Sequence, residues 1–139
     1  MLFPKKVKHR KWQRARRNLN KAKVESRGSR LAFGSFGLKT LAYGRITSNQ
    51  IESARKAMSR AIKKTGKIWI RIFPDRPITS KPPEVPMGKG KGDPSGYCFE
   101  VYPGRILFEI DGVDDLTAIK SLSRAGDKLP VKTKVVSRS

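Results

Sequence analysis

The sequence is poor in cysteine and histidine: Cys98 and His9 are the single examples among 139 residues. One cysteine cannot form an internal disulfide, which suits a reducing compartment. One histidine with no orienting carboxylate nearby cannot assemble a metal site, so we expect His9 to contact a phosphate or to stack. We therefore expect neither a metal ion nor any other cofactor.

Long apolar runs are also missing. No run approaches the roughly 20 residues that a membrane-spanning helix requires, and the N-terminal charges are not followed by an apolar stretch of secretory-signal length. These absences argue against a membrane partner and against secretion.

Groups for catalysis are scarce. Cys98 falls in the middle of a predicted strand, where an inert core thiol is favoured over a nucleophile. The adjacent carboxylates of Asp114 and Asp115 fit the capping of a helix. An RNA-modifying enzyme would need a cofactor pocket or an acid–base pair, and neither is evident. The sequence thus predicts a protein that is not an enzyme and has no small-molecule substrate.

Acidic residues are few, with 11 Asp and Glu against 32 Lys and Arg, a formal net charge of +21. Residues 1–96 hold 25 basic and 5 acidic side chains, whereas residues 97–139 hold 7 and 6. An excess of this size repels itself and points to a polyanionic partner. RNA is favoured over DNA because no helix-turn-helix, zinc-finger or zipper pattern is present.

The N-terminal arm, residues 1–28, is predicted to be a basic RNA-binding extension. The first 30 residues hold 12 basic side chains and one acid, but few large apolar ones, so we expect much of the arm to order only when phosphates neutralise it. Trp12 could stack on an unpaired base. A nuclear-import-like patch, a membrane-surface peptide or general solubility are the alternatives. The predicted contacts are Lys5, Lys6, Lys8, Arg10, Lys11, Trp12, Arg14, Arg16 and Arg17.

The clearest helix is predicted over residues 47–65. Thr47 and Gln50 make a capping box, and Gly66 is placed as its C-terminal stop. Ile51, Ala54, Met58, Ala61, Ile62 and Thr65 have the spacing of a buried stripe. The opposite face is expected to contact phosphate or to be simply solvated, and consists of Lys56, Arg60, Lys63 and Lys64.

Strands are predicted within residues 31–41, 67–73, 97–102, 105–110 and 131–136, with a hairpin turning at Pro103-Gly104. A second helix, capped by Asp114 or Asp115, is expected to turn Leu116, Ile119, Leu122 and Ala125 inward. The predicted fold class is α+β, with two helices packed on a largely antiparallel sheet. We expect one such domain over residues 29–136, followed by a tail at 137–139.

A long loop is predicted over residues 74–96, because this segment has no periodicity and holds six of the nine prolines. Its Met87-Gly-Lys-Gly-Lys-Gly92 run lacks the spacing of a nucleotide-binding phosphate loop and of a dinucleotide fingerprint. The run offers ammonium groups on a backbone without bulk, which can approach a phosphate chain closely. A flexible solvated loop is the alternative interpretation.

Several motifs resemble one family along nearly the whole chain: Phe33-Gly-Ser-Phe-Gly-Leu38, Gly66-Lys-Ile-Trp-Ile-Arg-Ile-Phe-Pro-Asp75, Met87 to Gly92, Pro103-Gly-Arg-Ile-Leu-Phe-Glu109 and Lys128-Leu-Pro-Val-Lys-Thr-Lys134. This pattern is similar to the bacterial-type large-subunit ribosomal protein sixteen. Two positions depart from it: Pro86 stands where the family has Arg, and Gly96-Tyr97 where it has an aromatic pair ending in Trp.

The resemblance implies a structural protein of the large ribosomal subunit that binds its rRNA, helps organise the aminoacyl-tRNA site and approaches tRNA. It also implies neighbouring ribosomal proteins as partners, and a cytoplasmic or organellar ribosome as the location. A free-standing nucleic-acid chaperone or nucleoid-type protein is the alternative. The residues expected at the tRNA site are Lys81, Met87, Gly88, Lys89, Gly90, Lys91 and Gly92.

Overall fold

The computed structural model describes residues 2–12, 23–84, 87–88 and 90–138. Within them the chain forms seven strands and two helices. In chain order these are β1 (Phe36–Thr40), β2 (Gly44–Thr47), α1 (Ser48–Ile62), β3 (Lys67–Ile70), β4 (Arg76–Ser80), β5 (Asp93–Val101), β6 (Ile106–Asp111), α2 (Asp115–Asp127) and β7 (Thr133–Ser137).

The strands form two antiparallel sheets. The four-stranded sheet has the order β3-β6-β1-β7, and the three-stranded sheet has the order β2-β5-β4. The predicted α+β class with two helices is confirmed, although two sheets replace the single expected sheet. The core cluster joins both, with Leu38, Phe108 and Ile110 of one sheet and Ile46 and Val101 of the other.

Helix α1 begins as predicted but ends early. The Thr47 hydroxyl accepts from the Gln50 N–H, and the Gln50 side chain accepts from the Thr47 N–H, which completes the capping box. Lys63 adopts a positive φ of 56°, and the Thr65 hydroxyl donates to the carbonyl of Ile62 at 2.8 Å. The helix therefore stops at Ile62 and not at Gly66, and Thr65 is exposed where a buried position was predicted.

Helix α2 is capped as predicted, but the face that it buries differs in part from the predicted face. The Asp114 carboxylate accepts from the Thr117 hydroxyl at 2.7 Å and from the Thr117 N–H at 3.4 Å. The predicted inward positions Leu116 and Ile119 are wrong, because these side chains are 62% and 45% exposed. The small side chains let α2 pack closely on its neighbours, and the buried residues are Ala118, Ser121, Leu122 and Ala125.

The predicted hairpin between residues 97–102 and 105–110 is wrong, because its two strands belong to different sheets. The turn at Pro103-Gly104 exists, with the Arg105 N–H donating to the Tyr102 carbonyl at 3.2 Å, but it passes the chain between sheets. Strand β6 is an inner strand of the four-stranded sheet and is buried on both faces, Leu107 and Glu109 included. The antiparallel partners of β5 are β2 and β4.

The predicted loop over residues 74–96 contains strands at both ends, so the irregular part is 81–92. Pro77 is tolerated in β4 because β4 is an edge strand, where one side of the backbone needs no ladder partner. Pro94 of β5 lies opposite Thr79, beside a break in register. Residues 81–92 thus connect β4 and β5 as the protruding end of a hairpin, which we call the hairpin loop.

Candidate nucleic-acid interface

The arm is anchored at its beginning by apolar contacts. Leu2 packs against the core cluster, and the Phe3 ring meets the Tyr97 ring of β5 edge-on, with centroids 6.5 Å apart. The cationic side chains that follow are exposed, as binding to phosphate requires: Lys5, Lys6, Lys8, Arg10 and Lys11. The predicted contacts Arg14, Arg16 and Arg17 lie outside the described residues.

The arm and the hairpin loop touch each other. The Lys11 ammonium donates to the Lys91 carbonyl at 3.2 Å, and the Lys91 ammonium donates to the Trp12 carbonyl. These reciprocal contacts bring together cations that lie 80 positions apart in the sequence. Trp12 itself is 45% exposed, so part of its ring remains free to stack.

A partly buried charge cluster at the base of this junction was not foreseen from the sequence. The Glu100 carboxylate lies 2.5 Å from the Arg76 guanidinium and 3.3 Å from that of Arg45. The Arg76 guanidinium also lies 5.5 Å from the centroid of the Trp12 ring, within the range of a cation–π contact. The Glu100 carboxylate therefore pairs with two arginines, and one of these, Arg76, also contacts the Trp12 ring of the arm.

The hairpin loop exposes most of its predicted residues to solvent, whereas Lys81 and Gly92 are half-buried. Met87 is 97% exposed, and the Lys81 ammonium donates to the Gly88 carbonyl within the loop. Gly88 and Gly90 have φ values of 92° and 98°, which side-chain-bearing residues rarely adopt. Gly92, at the end of the loop, lies so close to Ser80 that a Cβ atom there would be 2.5 Å from the Ser80 carbonyl oxygen. Lys89 lies outside the described residues.

The predicted cationic stripe on α1 is only half realised. Lys56 and Arg60 are exposed on the helix, but Lys63 and Lys64 are exposed beyond its end. The helix stops before them because Lys63 takes a positive φ. A groove of about 250 Å³ beside Arg60 includes acidic as well as basic neighbours, namely Arg124, Asp127 and Lys128.

A second unforeseen element is the strap, residues 28–34, which a buried carboxylate holds on the four-stranded sheet. Glu109 is fully buried, and one of its oxygens accepts from the N–H groups of Ala32, Phe33 and Gly34 at 2.9–3.0 Å. Its other oxygen lies 2.5 Å from the Arg71 guanidinium. Burial alone would raise the pKa of Glu109, but these donors outweigh it and hold the pKa below its usual value.

Phe33 of the strap forms an aromatic pair with Trp69 of β3, beside two cations. The Phe33 ring stacks on the Trp69 ring with centroids 5.8 Å apart, and Phe33 is 56% exposed. Arg71 lies 5.4 Å from the Phe33 centroid, and Lys67 lies 5.6 Å from that of Trp69. In the sequence, the signal for the contacts of Glu109 with the strap was the position of this acid inside the apolar run Ile106-Leu-Phe-Glu-Ile110. A buried carboxylate needs partners that donate to it.

Reactive and metal-binding groups are sparse in the part of the chain that the structure describes. Cys98 is buried, and burial raises the pKa of its thiol, which agrees with the predicted core role. No group of three or more His, Cys, Asp or Glu side chains in those residues is placed to hold a metal ion. No helix among them is both long and apolar enough to span a bilayer.

Comparison with known proteins agrees with the pattern of the motifs. The family described as ribosomal protein L16p/L10e matches residues 4–136. Large ribosomal subunit protein uL16 of Leptospira biflexa serovar Patoc (strain Patoc 1 / Ames) is 56% identical over 139 residues, which cover 100% of this chain and 98% of the relative. The chain therefore belongs to the ribosomal protein L16p/L10e family, as a cytoplasmic, non-enzymatic structural protein of the large ribosomal subunit.

Proposed function

We propose that the arm and the hairpin loop form one cationic surface that binds large-subunit rRNA and helps organise the aminoacyl-tRNA site, where the loop approaches tRNA. The observation that carries this proposal is the pair of contacts between Lys11, Trp12 and Lys91, which join the two segments. Family membership supports a ribosomal partner, and the exposure of the arm cations supports contact with phosphate.

The arm supplies point charges and one aromatic ring, a combination that suits RNA with unpaired bases. Lysines and arginines neutralise phosphates, while Trp12 can stack on a base without reading its sequence. Because Arg76 already lies beside the ring, the tryptophan is positioned before RNA arrives. The arm should therefore contribute affinity that depends strongly on salt.

The salt dependence of affinity tests the rRNA part of the proposal. The full chain with Lys5, Lys6, Lys8 and Arg10 all changed to Gln is compared with a variant that loses four exposed cations of the C-terminal third, namely Lys120, Arg124, Lys128 and Lys132. Each lost phosphate contact lowers the slope of log affinity against log salt by roughly 0.7–0.9, so the arm variant should lose about 3.

The matched variant has the same net charge and should keep most of the wild-type slope. Equal slopes for the two variants would contradict a specific role for the arm, because they would show that only the total charge matters. Competition with duplex DNA separates the alternative of a free-standing chaperone, which should bind duplex DNA as tightly as rRNA.

The tRNA part of the proposal concerns Lys81 and Lys91, the described cations of the hairpin loop. Changing both to Gln in reconstituted large subunits should weaken tRNA binding at the aminoacyl site by tenfold or more, since one charge-assisted contact is worth about 1.5–3 kcal/mol. The melting temperature should hardly change. A collapse in melting temperature with normal tRNA binding would make the loop a structural element instead.

A further inference from the structure

The four-stranded sheet carries a second cationic surface on the face turned away from Leu38 and the helices. Lys39 of β1 lies opposite Lys134 of β7 in the strand register, so the two share this face. The strap crosses it: the Gly28 carbonyl accepts from the Ile106 N–H at 2.8 Å, and the Leu31 side chain lies directly over Gly37. Between the strap and β7 a groove remains.

The groove has a volume of about 420 Å³ and is walled by cations. Arg30 comes from the strap, Lys39 from β1 and Arg138 from the position directly after β7, while Leu31, Ile106 and Val136 form its apolar part. No acidic residue lines it, and none of the three cations forms an ion pair within the described part of the chain.

Asp111 is the acid that acts electrostatically with Arg138, but it lies outside the lining of the groove. Its carboxylate already accepts from the Ser35 hydroxyl at 2.9 Å and from the Gly112 N–H at 2.8 Å. These bonds satisfy one carboxylate oxygen locally. Positive charge therefore predominates along the walls of the groove.

The backbone beneath the three cations is fixed before any ligand binds. The Arg30 carbonyl accepts from the Arg71 guanidinium at 3.3 Å, and the Arg138 N–H donates to the Ser35 carbonyl at 2.8 Å. Lys39 lies in a strand paired on both sides. A site whose backbone is already ordered loses less conformational entropy on binding than a site made from free loops.

We infer that this groove binds a sugar–phosphate segment of rRNA, with Arg30, Lys39 and Arg138 contacting phosphate oxygens and the apolar part packing against a ribose. Guanidinium groups suit this ligand because they can donate two parallel hydrogen bonds to a phosphate. The inference rests on the proposed rRNA binding and adds a site separate from the arm and the hairpin loop. We assign rRNA and not tRNA because no residue of the three-stranded sheet, which bears that loop, lines the groove.

The test uses the full chain with Lys39→Gln and Arg138→Gln, against a variant with Lys120→Gln and Arg124→Gln that loses the same charge from exposed positions on α2. Binding to large-subunit rRNA is measured across salt, and hydroxyl-radical footprints locate protected nucleotides. The groove variant should lose about 1.5 of the salt slope, for two phosphate contacts, and one short protected stretch. If Lys39→Gln lowers the melting temperature, Arg30→Gln with Arg138→Gln replaces the pair.

The possible results distinguish a failure of the proposed rRNA binding from a failure of the groove inference alone. If wild-type chain shows no salt-dependent rRNA binding, the proposed function fails and the groove with it. If the arm variant loses slope while the groove variant matches its α2 control in slope and footprint, the groove inference alone is overturned. Loss of tRNA binding with an intact rRNA footprint would also overturn it, because the phosphate would then come from tRNA.

Discussion

The strap and the hairpin loop both present groups suited to RNA, but the fold holds them in different ways. Three backbone N–H groups of the strap converge on the buried Glu109 carboxylate. The hairpin loop is instead contacted by exposed lysines that donate to carbonyls, such as Lys81 to Gly88 and Lys11 to Lys91. The strap is therefore fixed by a group of the core, whereas the hairpin loop is held by the same cations that would bind phosphate.

The largest effect on this contrast is expected when the charge of Glu109, which holds the strap, is removed. Glu109→Gln should destabilise the chain by about 3 kcal/mol, the lower part of the range for breaking a buried pair, because Arg71 is 19% exposed. Thermal or urea unfolding measures the loss. Glu84→Gln, which removes an exposed charge from the hairpin loop, should leave stability unchanged. Equal effects of the two variants would remove the distinction between the regions.

The same carboxylate makes a prediction about pH. Because its pKa is lowered in the folded chain, Glu109 binds a proton more readily when unfolded. Its contribution to stability is therefore complete above the ordinary glutamate pKa of about 4.3 and is lost as pH falls through the folded value. The acid limb of wild-type stability should be steeper than that of Glu109→Gln. Parallel acid limbs would show that Glu109 is not held as a carboxylate.

A smaller contrast is expected between two glycines with positive φ. In Gly28→Ala the new methyl group would lie 2.8 Å from the Arg105 guanidinium carbon at a φ of 63°, so we expect a loss of about 1–3 kcal/mol. In Gly90→Ala it would meet no atom within 4 Å, so only the strain of a φ of 98° remains and the loss should be smaller, about 1 kcal/mol. Unfolding curves measured side by side decide between these values, and a larger loss for Gly90→Ala would contradict the account.

The smallest contrast concerns one exposed apolar side chain in each region. Phe33→Ala removes the ring stacked on Trp69 and should cost about 1 kcal/mol, the usual value of an aromatic pair. Met87→Ala removes a side chain that is 97% exposed and should change the free energy of unfolding by less than about 0.5 kcal/mol. Identical values for the two would show that the Phe33 stack does not stabilise the strap.

Local rules predicted the local features of the fold. The Thr47 capping box and the Asp114 cap follow from short-range spacing, and the structure has both. The exposure of Leu116 and Ile119 was not predictable from periodicity alone, since α2 packs through Ala118 and Ala125 instead. Which of two apolar faces is buried depends on the shape of the partner, and the sequence of one helix does not contain that information.

The pairing of strands distant in the sequence was the main limit on what could be predicted. The turn at Pro103-Gly104 suggested a hairpin, because a turn between two apolar runs usually joins paired strands. Here β5 pairs with β4 and β6 pairs with β1, and the hairpin that exists was concealed by Pro77 and Pro94. For the candidate surfaces, charge identified the arm and the loop. The strap and the groove depend on contacts such as Ala32 to Glu109, 77 positions apart.

The reactivity of individual lysines in assembled large subunits tests the central claim most directly, that the cations of the first two thirds face RNA. Lysines of the free chain and of intact subunits are acetylated briefly and quantified by mass spectrometry. We predict strong protection in the subunit for Lys5, Lys6, Lys8, Lys11 and Lys91, and weaker protection for Lys120 and Lys128 on α2 and at its C-terminal end. Equal reactivity of the arm lysines in the free and assembled states would contradict the account.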